Sequence, residues 1–468
     1  MSRRAVVVGA GLAGMLAAAV LADAGVAEVV VLDRDELPDG PRRRRGLPQG
    51  RHAHLLMAGG LAAMEEIVPG ASLRGRLLTA GAHEMSLSSG TLARTPEGWL
   101  RRWRREGPAM LTCTRALVDW TVRDAVLAHT PVEVREAAAV GLVGSADRVR
   151  GVRVSGPDGE AVLDADLVVD ASGRGTRIVP WLAGLGLSGV RTRTVDSGLV
   201  NASRLYRVPA GAERFPLTVV HADPYVSRPG RSAMVMPVEG GRWLVSCGGT
   251  RGGEPPADPE GFLRYTLDLP DPIVGRLISG AEPLTDVHLS RSTSNVRHYL
   301  DKAPRWPEGL VVLGDALGTF NPAYGQGMSV AAFGARVLGR ELARAGRLDA
   351  PGLARRVLRG AARPVDAAWA MAVGQDVLYP ETRGGRRPGL ADRAVTAYTR
   401  RMTRAATGNF AAASALWDVT SMRTPPTRMF HPSAVLAALA GPPLPPLSGP
   451  PLTPGEREVL AGLDRAGV

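Results

Sequence analysis

Aromatic residues are scarce, 4% of 468 residues, so small aliphatic side chains must fill most of any core. Cysteine is scarcer. Cys113 and Cys247 cannot build a disulfide framework or a four-ligand zinc site, and a cytoplasmic setting is expected. Lysine is nearly absent: of 57 basic residues only Lys302 is lysine. Arginine in its place, with 57 glycines and 37 prolines, reads as the drift of a GC-rich genome. The net charge of +12 is then compositional. Arg42 to Arg45 cluster, as do Arg101, Arg102, Arg104 and Arg105 around Trp103, but no nucleic-acid module accompanies them. Nucleic acid is not an expected partner. No uncharged apolar run reaches ~18 residues, and the stretch from Leu12 to Leu32 is cut by Asp23 and Glu28, so no transmembrane segment is expected. What remains is ordinary globular usage, 45% hydrophobic and 22% charged, which excludes long disorder.

The chain opens as strand, turn, helix, strand. Ala5 to Val8 is a short β-branched run that suits a buried parallel strand. A helix is predicted from the glycine turn to Leu21, with Gly25 as its stop, and Val29 to Leu32 forms the next strand. Residues 35–54 are loop-like, and helical spacing is predicted over Leu55–Ile67 and again over Leu111–Ala128. Leu167 to Val169 and Leu310 to Leu313 are further buried strands. Residues 190–300 carry short alternating strands. Ala233–Val238 and Arg242–Cys247 flank Glu239-Gly240-Gly241 as a hairpin. From Met328 to about 440 the pattern is helical. Residues 441–454 form a stiff Pro-rich tail, and Thr453 with Glu456 reads as a capping box for a last short helix.

Two segments carry chemistry. In Gly9-Ala10-Gly11-Leu12-Ala13-Gly14, Gly9 permits a tight turn, Gly11 lets a pyrophosphate reach the backbone, and Gly14 lets helix and strand pack closely. Amide hydrogens and the dipole at the helix start favour phosphate charge. Asp33 ends the second strand about twenty residues on, placed to accept hydrogen bonds from a ribose. That unit binds NAD or FAD alike. The second segment favours FAD. Gly314-Asp315 ends a strand, and Asp315 suits a polyol hydroxyl of a ribityl chain. In the stretch Asn321 to Met328, Gly325 and Gly327 let backbone amides approach a planar ring edge. The helix start there would stabilise negative charge on a flavin.

The chain resembles the FAD-dependent aromatic-hydroxylase superfamily of flavin monooxygenases. The resemblance rests on the first glycine turn, on Asp170-Ala171-Ser172-Gly173-Arg174-Gly175-Thr176-Arg177 as a variant Asp-Gly motif, and on the late Gly-Asp motif. The stretch Gly46 to Leu56 is similar to the squalene-epoxidase-like branch, most of all to bacterial polyether polyketide epoxidases. Flavin halogenases share the superfamily fold but use a lysine near the substrate, and Lys302 is the only one here.

The resemblance implies an α/β fold. A Rossmann-like FAD-binding domain (1–75, 104–185 and 285–345) interleaves with a mostly antiparallel β-sheet substrate domain (76–103 and 186–284). A C-terminal helical region (346–440) and the tail (441–468) follow. It implies FAD contacts for Leu12, Ala13, Arg34, Arg45, Arg115, Asp170, Pro322, Gln326 and Met328 besides the residues above. Gln49, His52, His54, Met234, Met236 and Trp243 are expected to line the substrate pocket. No catalytic side chain and no metal are expected, since the flavin carries the chemistry. The implied reaction transfers one oxygen atom of O2 through a flavin C4a-hydroperoxide to an alkene of a long apolar polyene, in polyether antibiotic biosynthesis. NADPH or NADH is the implied reductant, directly or through a reductase. Aromatic hydroxylation and isoprenoid double-bond reduction are the alternatives. A flavin reductase or a polyketide carrier protein would be the protein partners, and peripheral membrane contact through residues 430–452 stays open.

Overall fold

The computed structural model describes residues 3–157, 159–291 and 293–466. A five-stranded parallel sheet is ordered Leu310–Val312, Leu167–Asp170, Arg4–Val8, Glu28–Asp33, Val132–Glu136. Its inner strands are buried along most of their length, which is why they read as unbroken Val/Leu runs. The helices Leu12–Asp23, Arg115–His129, Gly327–Ala345 and Leu353–Asp376 share its hydrophobic core. A meander of Ala138–Gly144, Val149–Gly156 and Gly159–Asp164 joins the same core.

The second sheet has seven strands, ordered His288–Ser290, Val200–Arg207, Arg242–Gly249, Arg231–Val238, Leu217–Val220, Thr91–Thr95, Gly98–Trp99. It is antiparallel except where Leu217–Val220 runs parallel to Thr91–Thr95. The expected hairpin is present, with Val238 paired to Arg242 and both turn glycines at positive φ (Gly240 +76°, Gly241 +63°). One face of this sheet packs under the helices Pro259–Leu267 and Ile273–Ser279. The last helix, Pro454–Ala466, joins them. The other face carries a methionine-rich layer of Met57, Met110, Met236, Leu217 and Leu244.

The capping box of the last helix forms as predicted. Glu456 Oε2 accepts from the Thr453 N–H at 2.8 Å, and Thr453 Oγ1 accepts from the Glu456 N–H at 3.3 Å. Arg102 donates to the same Glu456 carboxylate at 2.7 Å, which ties the tail to the sheet domain. Two helical expectations need correction. Leu111 and Thr112 belong to a strand, Ala109–Thr112, and the helix starts at Arg115 with Thr114 as its cap. Leu55 and Leu56 likewise form a strand, paired with Thr112 and Leu111. Both runs have helical spacing, but pairing across the chain buries Leu56 and Leu111 more completely, and tertiary contact overrides local periodicity. The C-terminal helices also divide. Leu353–Asp376 belongs to the first core, whereas Leu390–Ala406, Phe410–Thr420 and Pro432–Ala440 make a core of their own with Leu100. Cys113 and Cys247 are both buried. Among the described residues no helix is long and apolar enough to cross a membrane, and no cluster could hold a metal ion.

Candidate functional site

The first glycine turn shows why each glycine stands where it does. Gly9 has φ +98°, and a methyl there would come 2.7 Å from the Ala171 carbonyl oxygen. A methyl on Gly14 would fall 1.8 Å from the Gly9 carbonyl oxygen, so helix and strand could not close. Gly11 is different: nothing lies within 4 Å of where its methyl would be. Packing demands Gly9 and Gly14, whereas Gly11 opens onto space in front of the helix start. The helix has no side-chain cap and no acid in its first turn, which leaves its first N–H groups for an anion. Leu12 is buried beneath that turn.

Asp33 stands beside it. Its Oδ2 accepts from the Ala10 N–H at 2.8 Å and from Arg44 at 2.5 Å, and its Oδ1 accepts from the Asp35 N–H at 3.1 Å. Arg44 also donates to the Ala10 carbonyl at 2.7 Å. The side chains of Arg44 and Asp33 are 7% and 10% exposed. Arg44 Nε and Asp35 Oδ2 are buried with no hydrogen-bond partner. Arg45, the expected contact, is exposed, and the Arg34 side chain is 71% exposed. It is Arg44 that turns in, and four arginines in a row give no local signal of which one does.

Asp170 is bonded within its own turn. Its carboxylate accepts from the Ser172 N–H (3.0 Å), Ser172 Oγ (2.5 Å) and Thr176 Oγ1 (2.6 Å). It is fully buried, and its own turn supplies these three donors. Burial raises its pKa, opposed by these three bonds.

The second segment meets the first. Gly314 has φ +59°, and a methyl there would lie 2.9 Å from Ala13 Cβ. Asp315 follows, half-buried. Its carboxylate has no hydrogen-bond partner among the described residues, and its Oδ1 is 3.8 Å from where a methyl on Gly327 would stand. Burial raises the Asp315 pKa, with Arg174 and then Arg115 opposing. Pro322 opens a short turn, Gly325 closes it at φ +66°, and the helix Gly327–Ala345 starts without a side-chain cap. Gln326 is buried. Its Nε2 reaches Met371 Sδ at 3.2 Å, and its Oε1 has no partner. Met328 is buried in the first turn.

Arg115 begins its helix and pairs with Asp119 at 2.9 Å. It packs beside Gly50, so the loop Gln49–His54 lies against it. Gln49 is half-buried in the turn Pro48–Arg51. His52 is buried, and its Nδ1 is 2.8 Å from Ser203 Oγ, which is 2.5 Å from Ser246 Oγ. The Ala53 N–H donates to Ser246 Oγ at 3.0 Å. Ser246 Oγ thus anchors a chain that runs through Ser203 to the His52 ring. His54 Nδ1 bonds the His52 carbonyl at 2.8 Å. Both imidazoles are held down to about 4, chiefly by burial. His288 and Arg51 add to this at His52, and Arg115 adds to it at His54. Sequence reasoning missed Ser203 and Ser246, which sit paired across neighbouring strands.

Met234 and Met236 share the face of Ser246 and Leu244, toward the methionine layer. Trp243 does not join them. It pairs with Pro237 and packs edge-on to Phe215 at 6.3 Å, in the core on the opposite face. Met57 links this layer to the second segment: its Cε is 3.2 Å from where a methyl on Gly325 would be.

An open approach at Gly11, two unpartnered polar atoms beside Asp33, an unengaged Asp315 carboxylate and an uncapped helix at Gly327 fit an extended dinucleotide with a polyol and a ring. The family described as the FAD binding domain matches residues 3–352, and the chain belongs to it. Protein Rv3254 of Mycobacterium tuberculosis (strain ATCC 25618 / H37Rv) is 30% identical over 388 residues, covering 80% of each chain. Among solved structures, P. aeruginosa PqsL in complex with 2-aminobenzoylacetate superposes with a TM-score of 0.60 at 18% identity, over 80% of this chain and 95% of that one. The flavin-dependent halogenase CmlS gives 0.61 at 15% identity, over 90% and 77%. Such identities establish the shared fold.

Proposed function

We propose that this flavoprotein is an FAD-dependent monooxygenase that epoxidises an alkene of a long, apolar polyene. The observation that carries the FAD site is the meeting of Gly314 with Ala13, which sets the Gly314-Asp315 turn against the first helix start, with Gly327 next to Asp315. The Gly11 turn and the Leu12 and Ala13 amides would hold the pyrophosphate, Asp33 with Arg44 the adenosine ribose, Asp315 the ribityl chain, and the 325–328 helix start the ring. Bound FAD supplies the activation of O2, with NADPH or NADH as its source of electrons. The chain's own residues supply position and dryness. Met57, against Gly325, and the layer around Met236 offer a deformable apolar surface for a hydrocarbon, and they keep water from the ring edge. An alkene has no proton to remove, so this reading asks for no base at the substrate.

The His52–Ser203–Ser246 chain favours a second reading, hydroxylation of an aromatic ring. It presents a neutral imidazole beside the same apolar layer, suited to a hydrogen bond with a phenol. One experiment separates the readings. The purified protein is reduced without oxygen, then mixed with labelled O2 and either a linear polyene or a phenol. One labelled oxygen in an epoxide supports the first reading, and one in a new ring hydroxyl supports the second. No oxygen uptake with either refutes both.

A further inference from the structure

Asp376 ends the helix Leu353–Asp376, outside the residues that match the family, and is 1% exposed. Two features make its place unfavourable. A carboxylate in the last turn of a helix opposes the helix dipole, and a buried carboxylate ordinarily needs a cation. None of the side chains that hydrogen-bond to it is basic. Neutral side chains surround it instead, Ser197 among them. Asn295 Nδ2 donates at 2.7 Å, Asn321 Nδ2 at 3.0 and 3.1 Å to its two oxygens, and Tyr324 OH at 2.9 Å.

These bonds leave neither asparagine free to turn. Asn321 Oδ1 accepts from the Ala323 N–H at 3.0 Å, and Asn295 Oδ1 accepts from the Asn321 N–H at 2.8 Å. Flipping either amide would set a carbonyl oxygen against the carboxylate and an NH2 against an N–H. One charge thus orients two amides and a phenol. Asn321 and Tyr324 belong to the turn that ends at Gly325.

We infer that Asp376 is a positioning residue of the flavin site: its carboxylate clamps Asn321 and Tyr324, and so fixes the 321–325 turn against which the ring edge of FAD would rest. This rests on the FAD reading above. An asparagine at 376 keeps the shape but turns one acceptor into a donor that faces other donors, so the clamp opens.

The test is FAD titration of the flavin-stripped full chain, with the visible spectrum and the midpoint potential of the bound flavin as further readouts. Asp376→Asn is expected to weaken FAD binding about tenfold or more, the loss of a hydrogen bond to a charged group, and to shift spectrum and potential. Leu358→Ala, a cavity in the same helix, is expected to lower the melting temperature while leaving affinity, spectrum and potential at wild-type values. If Asp376→Asn does not fold, Tyr324→Phe removes one donor alone and is expected to weaken binding about fivefold, with a smaller spectral shift. Wild-type affinity and potential in Asp376→Asn, or in Tyr324→Phe where only that variant folds, overturn the inference. A wild-type chain that takes up no FAD overturns the flavin reading itself, and this inference with it.

Discussion

Gly314 rests on Ala13 so closely that a methyl on Gly314 would come 2.9 Å from the Ala13 side chain. Ala13 lies in the first turn of the helix Leu12–Asp23, and Gly314 lies in the short turn Gly314–Ala316 that follows the strand Leu310–Val312. Their contact brings together two segments that the sequence keeps far apart.

Gly11 and Gly14 are expected to separate folding from ligand approach. Gly14→Ala sets a methyl 1.8 Å from a backbone oxygen and should destabilise by about 2 kcal/mol or more. Gly11→Ala meets nothing within 4 Å and should melt like the wild type, yet bind FAD at least about tenfold more weakly. Thermal melts of the flavin-stripped chain and FAD titrations read the two effects independently.

Arg44 and Arg45 are neighbours with opposite expectations. Arg44→Ala leaves the nearly buried Asp33 carboxylate without its cation and should cost about 3 kcal/mol in denaturant unfolding. Arg45→Ala removes an exposed side chain and should change stability by less than about 0.5 kcal/mol.

This pair marks where sequence reading stops. The parallel strands were legible because a sheet buried on both sides demands unbroken apolar runs, and the Gly9–Gly14 turn because its spacing encodes close packing. The hairpin and the Thr453–Glu456 cap were legible because their signals are local. Arg44 was not, since its neighbours Arg42, Arg43 and Arg45 are chemically the same. Nor were Ser203, Ser246 and Asp376, whose partners come from strands and loops far along the chain. Trp243 is expected in the pocket beside Met234 and Met236, but alternation along the strand sends it to the opposite face.

Acid should weaken the fold through His52. An imidazole that titrates near 6.5 unfolded and near 4 folded gives stability that is complete above pH 6.5 and is lost as pH falls toward 4. One such group is worth at most about 3 kcal/mol across that window. Asp170, Asp315 and Asp376 carry the opposite sign, because burial raises their pKa values and acid relieves that cost. The difference between wild type and His52→Asn isolates the imidazole: chemical denaturation from pH 7 to 4 should show the variant losing less stability than the wild type. Parallel profiles would mean that His52 is protonated as easily folded as unfolded.

Asp315→Ala should weaken FAD binding by about tenfold, since an unengaged carboxylate is offered to the polyol there. Its melting temperature without flavin should stay at the wild-type value or rise, because a half-buried charge is removed. An FAD titration beside a melt checks both.

The most direct test of the proposed FAD site is a crystal structure of the full chain with FAD. The pyrophosphate is expected against the Leu12 and Ala13 amides and the isoalloxazine against residues 325–328 of the same molecule, with Asp315 on the chain between them. A flavin lying elsewhere, or a different occupant at each helix start, would contradict it.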